Sequence, residues 1–322
     1  METVLVASSR APEPGPALYG NRVGEELSFA RFEIAVPPAH RAGQPDPRPH
    51  APGDRERHFL VTEASRFADA RSFVGAINRR LAAHPEPDRP AALFVHGFRN
   101  SFADGVLYQA QLQADLDRHG AIVHFAWPAT PSSLTYLRDI DRALASRDAL
   151  ARTIDLLASC DADEMILVGT SLGAFLLMEA LRTMATGGHD PVFAKIEAVV
   201  LVAADIDLDV FRSQVDAVAA RGVQTIAVTS RRDRALGLSA ALRGTRRRVG
   251  SAPPDALAGL PVTIFDVSAL PVGDSYRHLL LARSPDLIRL VRMVHQSEDP
   301  DARHDAARRL GATVRAGAAD AP

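Results

Sequence analysis

Cysteine is almost absent from this chain, with one residue, Cys160, in 322. A lone thiol excludes an intrachain disulfide and any multi-cysteine metal site, and it fits a reducing compartment. Standing after a helical run, Cys160 reads as plain packing. An excess of one charge is also missing: 37 basic residues stand against 39 acidic ones, a formal net charge of −2. No global field draws such a chain to nucleic acid or an anionic membrane, so the expected partner is a small, weakly charged molecule. No apolar run approaches the roughly 20 residues that cross a bilayer, so no transmembrane helix is expected. Residues 1–7, METVLVA, lack both a basic stretch and a long apolar stretch, and no secretory signal is read there. The location expected is cytoplasmic. Internal repeats, H-E-x-x-H, the P-loop, G-x-G-x-x-G and paired C-x-x-C are all missing, and no metal or organic cofactor is expected.

What is present is enough apolar material, 47% of residues, for one large core. Residues 1–57 are rich in Pro, Gly, Arg and His over 10–57, with only 29–36 alternating as a half-buried strand does, and they read as an irregular N-terminal wrap with one strand. From residue 58 to 297 short β-rich runs alternate with stretches of helical period. Strands are expected at 59–62, 92–96, 122–126, 165–169, 198–203, 225–229 and 262–267, and helices at 67–81, 102–116, 134–157, 174–184 and 210–219. That alternation predicts an α/β fold, a mostly parallel central sheet with helices on both faces. One helix fills the gap between 203 and 225, so no large cap domain is expected. After Ser284-Pro285 a final amphipathic helix carries Leu287, Leu290, Val291 and Val294 on one face. Residues 298–322, poor in large apolar groups, read as a mobile tail. The basic stretch 231–248 reads as a solvated loop, since nothing aromatic is interleaved with it.

The sharpest local signal is Gly169-Thr170-Ser171-Leu172-Gly173. A G-x-S-x-G match alone is weak, arising by chance in a chain this long on the order of one time in ten. Here it follows the apolar run Met165-Ile166-Leu167-Val168 and opens the apolar run Ala174-Phe175-Leu176-Leu177-Met178. Such a strand, turn and helix lift a serine above the sheet on a strained turn that needs glycine on either side. Ser171 is therefore read as a nucleophile. Its turn aims the Leu172 amide at a developing oxyanion, and a second donor is expected from the loop after 92–96, where the backbone amide of Phe98 is nominated. His96 and Gly97 are read as shaping that loop, His96 in a structural role.

A serine needs an imidazole to take its proton and a carboxylate to fix the imidazole's tautomer, and in this fold they follow in the order Ser, Asp or Glu, His. Of the histidines after Ser171, His189 lies in a Gly187-Gly188 turn, His295 near the end of the last helix and His304 in the tail. His278, a short loop beyond the last strand, is the expected base. Asp233, four residues past the strand at 225–229, is the preferred acid. Asp205 and Asp207 are the runners-up, although Asp207 or Asp209 also suits a helix N-cap. Trp127 and Tyr136 are read as shaping one side of a pocket, with core packing equally open for Trp127.

The segments Val95-His96-Gly97-Phe98-Arg99-Asn100-Ser101-Phe102-Ala103-Asp104, Phe125-Ala126-Trp127-Pro128, Tyr136-Leu137-Arg138-Asp139, the serine pentapeptide, Asp205-Ile206-Asp207 and Ser230-Arg231-Arg232-Asp233-Arg234-Ala235-Leu236 together resemble the bacterial α/β-hydrolase family catalogued as DUF900. The likeness runs from Val4 to about Arg289. It implies an α/β-hydrolase fold and an esterase-like serine hydrolase, and it supports Ser171 and His278 as catalytic residues. Family members often carry His-Ser-Met-Gly at the nucleophile, where this chain has Thr170-Ser171-Leu172-Gly173, so the pocket wall differs. The resemblance implies no single substrate. The function expected is a carboxylesterase acting on uncharged acyl esters. An amidase or thioesterase on the same triad, and a catalytically silent binding protein, are the alternatives.

Overall fold

Two long strands open the chain: β1 (Glu2–Pro12) and β2 (Tyr19–Ala35), paired antiparallel from Glu2 opposite Ile34 to Pro12 opposite Tyr19. A third, β3 (Leu60–Arg66), pairs antiparallel with β2. The rest follows as α1 (Ala70–Leu81), β4 (Pro90–Val95), α2 (Phe102–Leu116), β5 (Ala121–Ala126), α3 (Tyr136–Ala145), α4 (Arg147–Ala158), β6 (Glu164–Thr170), α5 (Leu172–Gly187), the short α6 (Asp190–Phe193), β7 (Ile196–Val202), α7 (Leu208–Ala219), β8 (Gln224–Thr229), α8 (Arg234–Leu242) and β9 (Thr263–Asp266). This computed structural model describes residues 1–15, 17–43, 53–86, 89–116, 120–244 and 247–268. His278, the helix expected after Ser284-Pro285 and the tail 298–322 lie outside the described residues.

One nine-stranded sheet runs β3-β2-β1-β5-β4-β6-β7-β8-β9, and every pair from β1–β5 onward is parallel. The fold is the expected α/β class. β4 and β5 are buried along their whole length, as strands covered on both faces are, and both read as apolar runs, broken in β5 by His124. Alternation distributes the core between the faces. Leu5, Leu93, Val123 and Leu167 join a cluster with Phe73 and Ile77 of α1, Leu150 of α4, Leu176 of α5 and Phe211 of α7. Val4, Val6 and Phe32 point the other way, onto Phe102 and Val106 of α2, and Leu236 of α8 packs on Val202 and Val228.

Three elements differ from the sequence reading. The N-terminal residues form two full strands of the main sheet where an irregular wrap with one strand was expected. Gly20, Asn21, Gly24, Glu25 and Glu26 within β2 are turn-type or charged residues, and its outer half is correspondingly exposed, so pairing with β1 rather than apolar alternation holds it extended. The helix expected over 134–157 is two helices, broken at Ser146, whose amide reaches both Arg142 O and Ala143 O and whose hydroxyl bonds Arg142 O. The basic stretch is not simply a solvated loop: it contains α8, and Arg248 at its end is fully buried. Among the described residues no helix is long and apolar enough to cross a membrane.

Candidate active site

The chain winds from β4 outward to β5, then returns to place β6 on the other side of β4. Loops leaving the carboxyl ends of β4 and β6 therefore diverge, which makes this the switch point where open α/β sheets commonly bind their ligands. Gly97 and Ser171 meet there. A Cβ built on Gly97 would lie 2.9 Å from Ser171 Cβ and 3.0 Å from Thr170 O.

Ser171 has φ 52° and ψ −122°, one of four non-glycine residues with positive φ among the described residues. Such a conformation costs of order 1–3 kcal/mol and persists only where the surroundings impose it. Here the surroundings do. The Ser171 amide donates to Val202 O at 2.9 Å, and its carbonyl accepts from the amides of Ala174 and Asp205, each at 3.1 Å. The end of β7 thus straps the turn from one side. Glycine is needed on both sides: a Cβ at 169 would come within 2.7 Å of Ala174 Cα, and one at 173 within 2.2 Å of His96 O and 2.5 Å of Val95 O. Ser171 occupies the N-cap position of α5, yet its hydroxyl makes no capping bond. The side chain therefore does not satisfy the helix end, while Leu172 begins the helix with its amide at the positive end of the dipole.

The β4 loop is held from below. Asn100 Nδ2 donates to Gly97 O at 3.1 Å and Phe98 O at 3.2 Å, with Arg99 between them at φ 61°. The buried Arg10 of β1 reaches Asn100 O at 3.1 Å and Ala129 O at 3.2 Å, tying the loops after β4 and β5 together. Burial, then the nearby Arg142, lowers its pKa to about 9. His96 is buried with Nδ1 2.9 Å from Gly97 O and Nε2 3.1 Å from Trp127 O, and burial, then Arg10, lowers its pKa to about 3. A neutral imidazole donates from one nitrogen only, so one of these contacts lacks a proton. The ring stacks at 5.3 Å on Trp127, whose Nε1 donates to His96 O at 2.7 Å, and at 5.3 Å on His124. His96 is therefore a prop of the loop, and Trp127, wholly buried in the main cluster, is a core residue.

Tyr136 stands on the far side. Its ring edge meets the half-buried Phe98 at 5.2 Å, and its hydroxyl donates to Asp205 Oδ2 at 2.6 Å. Burial, then Asp205, pushes that phenol up to about 12, keeping it protonated. Asp205 Oδ1 accepts from Ser239 Oγ at 2.6 Å and faces Arg248 Nε at 3.3 Å, all fully or nearly buried. Asp207 caps α7 through the Asp209 amide at 3.0 Å. Asp233, buried one strand further along, caps α8 through the Leu236 amide at 3.0 Å. Both aspartates thus have a structural use, whereas the sequence suggested one only for the β7 loop.

Ser239 and Arg248 were not anticipated. Arg248 closes the run Arg246-Arg247-Arg248, and nothing in the sequence distinguishes the buried Arg248 from the exposed Arg247. Its strand-like bridge to Asp207 and the bond of Gly250 N to Ala204 O bring it in, with Gly250 allowing the approach: a Cβ there would lie 2.3 Å from Ala203 C.

Comparison with known proteins agrees with this frame. The chain belongs to the family described as alpha/beta hydrolase of unknown function, DUF900, whose model matches residues 71–294. No curated protein matches it. Among solved structures, the protein m3DLH is 15% identical over 72% of this chain and 89% of its own, with a TM-score of 0.40. TT1662 from Thermus thermophilus is 19% identical over 65% and 88%, TM-score 0.37. A dienelactone hydrolase-like promiscuous phosphotriesterase from metagenomic libraries is 10% identical over 98% of each chain, TM-score 0.37.

Proposed function

From membership of that family, we propose that the protein is a serine hydrolase, a carboxylesterase that cleaves uncharged acyl esters through an acyl-enzyme on Ser171. The observation that carries this reading is the strained φ of Ser171 together with its uncommitted hydroxyl at the head of α5. A serine needed only to cap the helix would adopt an extended backbone and bond the N2 or N3 amide. In the proposed reaction Ser171 Oγ attacks the ester carbonyl as His278 takes its proton, and the amides of Leu172 and Phe98 stabilise the oxyanion. His278 returns the proton to the departing alkoxide. Water, deprotonated by the same histidine, then attacks the acyl carbon, and the acid leaves as Ser171 regains its proton.

Asp233 remains the preferred acid. Asp205 has both oxygens engaged by Tyr136, Ser239 and Arg248, so orienting a histidine would mean breaking that arrangement. The loop after β8 also suits a base that follows β9, the adjacent strand.

Fluorophosphonate labelling together with turnover of a graded panel of p-nitrophenyl esters tests the proposal. Wild type should label and turn over, and Ser171→Ala should lose the label and at least about three orders of magnitude in kcat. An unlabelled wild type, or undiminished label on Ser171→Ala, would overturn it.

A further inference from the structure

We propose that α3 and α8, with Leu134 and the exposed Arg232 and Arg247, form a docking face for an anionic lipid bilayer beside the candidate site. The inference does not depend on the chemistry at Ser171. Helix α8 is apolar on two sides. Leu236 and Ala240 pack inward, while Leu238 and Leu242 point out, 55% and 53% exposed. Arg234, Leu238 and Leu242 are spaced i, i+4, i+8 and so share one outer stripe.

The neighbouring helix repeats the pattern. Leu134, in the single turn before α3, is 96% exposed, and Leu137 is 60% exposed beside the exposed Arg138. Tyr136 OH and Ser239 Oγ, 2.6 Å apart, join the two helices at the site. The most exposed leucines of the described residues therefore lie on the two elements that meet over Asp205, whereas elsewhere such residues are scattered singly.

Charge identifies the partner. From 231 to 248 the sequence has seven arginines and one carboxylate, Asp233, which is buried. Arg248 is taken inward by Asp205, and Arg231 pairs with Asp266. Arg232, Arg234 and Arg247 are exposed. A local cationic patch thus sits on a chain whose net charge is −2. Exposed leucines bordered by arginines suit a surface with anionic headgroups above acyl chains. A side chain as proud as Leu134 fits a deformable phase better than a rigid protein pocket.

Co-sedimentation of the full chain tests this, using vesicles of phosphatidylcholine alone or with one-third phosphatidylglycerol. Wild type should sediment only with the anionic vesicles and be released by about 0.5 M salt, which shortens the screening length severalfold. Replacing Leu238 and Leu242 together by Ser should weaken binding at least about tenfold. Arg232→Gln and Arg247→Gln should each weaken it about fivefold. Melting curves matching wild type would show that the variants are folded, and the salt arm needs no variant. Wild type remaining in the supernatant with anionic vesicles, as a patch built for an acidic protein would, overturns the proposal. So does salt-insensitive binding, or folded variants that bind like wild type.

Discussion

At the parallel end of the sheet, β4 to β9, the candidate groups leave the carboxyl ends of strands: Gly97 after β4, Ser171 after β6, Asp205 after β7 and Asp233 after β8. The antiparallel end, β1 to β3, has comparable length and burial in β1 but contributes no such group. Among the described residues it is linked to the site through Arg10, which reaches across to Asn100 and Ala129. Parallel strands collect their loops on one edge, so side chains distant in sequence converge. An antiparallel ribbon sends successive turns to opposite edges. The same backbone hydrogen bonding therefore gathers the candidate site at one end and a buttress at the other, and substitutions at the two ends should differ in kind.

The largest expected effect separates two carboxylates within the parallel end. Asp233→Asn should leave the fold intact and lower kcat by about four orders of magnitude, the scale on which a histidine loses its orienting acid. Asp205→Asn should instead lower stability by about 3–5 kcal/mol, because the buried Arg248 then faces no charge. Ester kinetics and urea denaturation on both variants check the assignment. Near-normal turnover in a folded Asp233→Asn protein, with Asp205→Asn inactive yet stable, would reverse the two roles.

Glycines sharpen the contrast next. Gly173→Ala drives a methyl against the backbone oxygens of Val95, the last residue of β4, and His96, which follows it, both buried. A loss of at least about 3 kcal/mol is expected. Gly20→Ala meets only the carboxylate end of Glu13, a flexible side chain, and should shift stability by less than about 0.5 kcal/mol. Thermal melts of the pair read this directly, and equal losses would remove the distinction between a packed turn and a yielding ribbon.

The two ends also differed in how much of them could be read from sequence. β4 to β8 were legible because strands covered on both faces carry mainly apolar runs, and α2 has the same bounds, 102–116, as its apolar spacing suggested. The turn at Ser171 was legible for a related reason, since the pentapeptide stands between an apolar strand run and an apolar helix run. β1 hid because Ser8, Ser9 and Arg10, though buried, are polar residues with partners far along the chain, as in Ser9 Oγ to Ser146 Oγ at 2.9 Å and Arg10 Nη2 to Asn100 O at 3.1 Å. The break at Ser146 hid because no glycine or proline marks it. Arg248 and Ser239 hid because their burial depends on Asp205, to which no periodicity points. In each case the missing information was a tertiary partner.

Acid should act on the parallel end before it acts on the ribbon. His96 is held neutral by burial, with its pKa lowered to about 3, and His124, stacked on it, is shifted well below its ordinary value for the same first reason. The unfolded chain takes up protons near pH 6.5 that the folded chain refuses. Stability from these groups is therefore complete above about pH 6.5 and is lost as pH falls from there towards about 3. Between pH 7.5 and pH 5 His96 alone should cost about 2 kcal/mol, measured by urea unfolding at the two values. His96→Phe keeps a ring in the stack and removes the titration, so it should flatten the slope. An unchanged slope would mean that His96 is already protonated, or already open to water, in the folded protein.

The smallest expected effect lies at the antiparallel end. Arg31 of β2 faces Glu33 at 2.6 Å, with its side chain 46% exposed, and Glu33 also accepts from Thr3 Oγ1 at 3.0 Å. Water screens that pair, and holding a long side chain in place offsets much of its Coulomb energy, so Arg31→Ala should change stability by only about 0.2–1 kcal/mol. Removing Arg31 leaves Glu33 with the Thr3 hydroxyl and solvent, so no charge is stranded as Arg248 is when Asp205 loses its charge. A double-mutant cycle with Glu33→Gln, run at low and high salt, isolates the coupling. A value above about 2 kcal/mol, or one indifferent to salt, would show that this pair behaves as the buried charges around Asp205 do rather than as a screened surface pair.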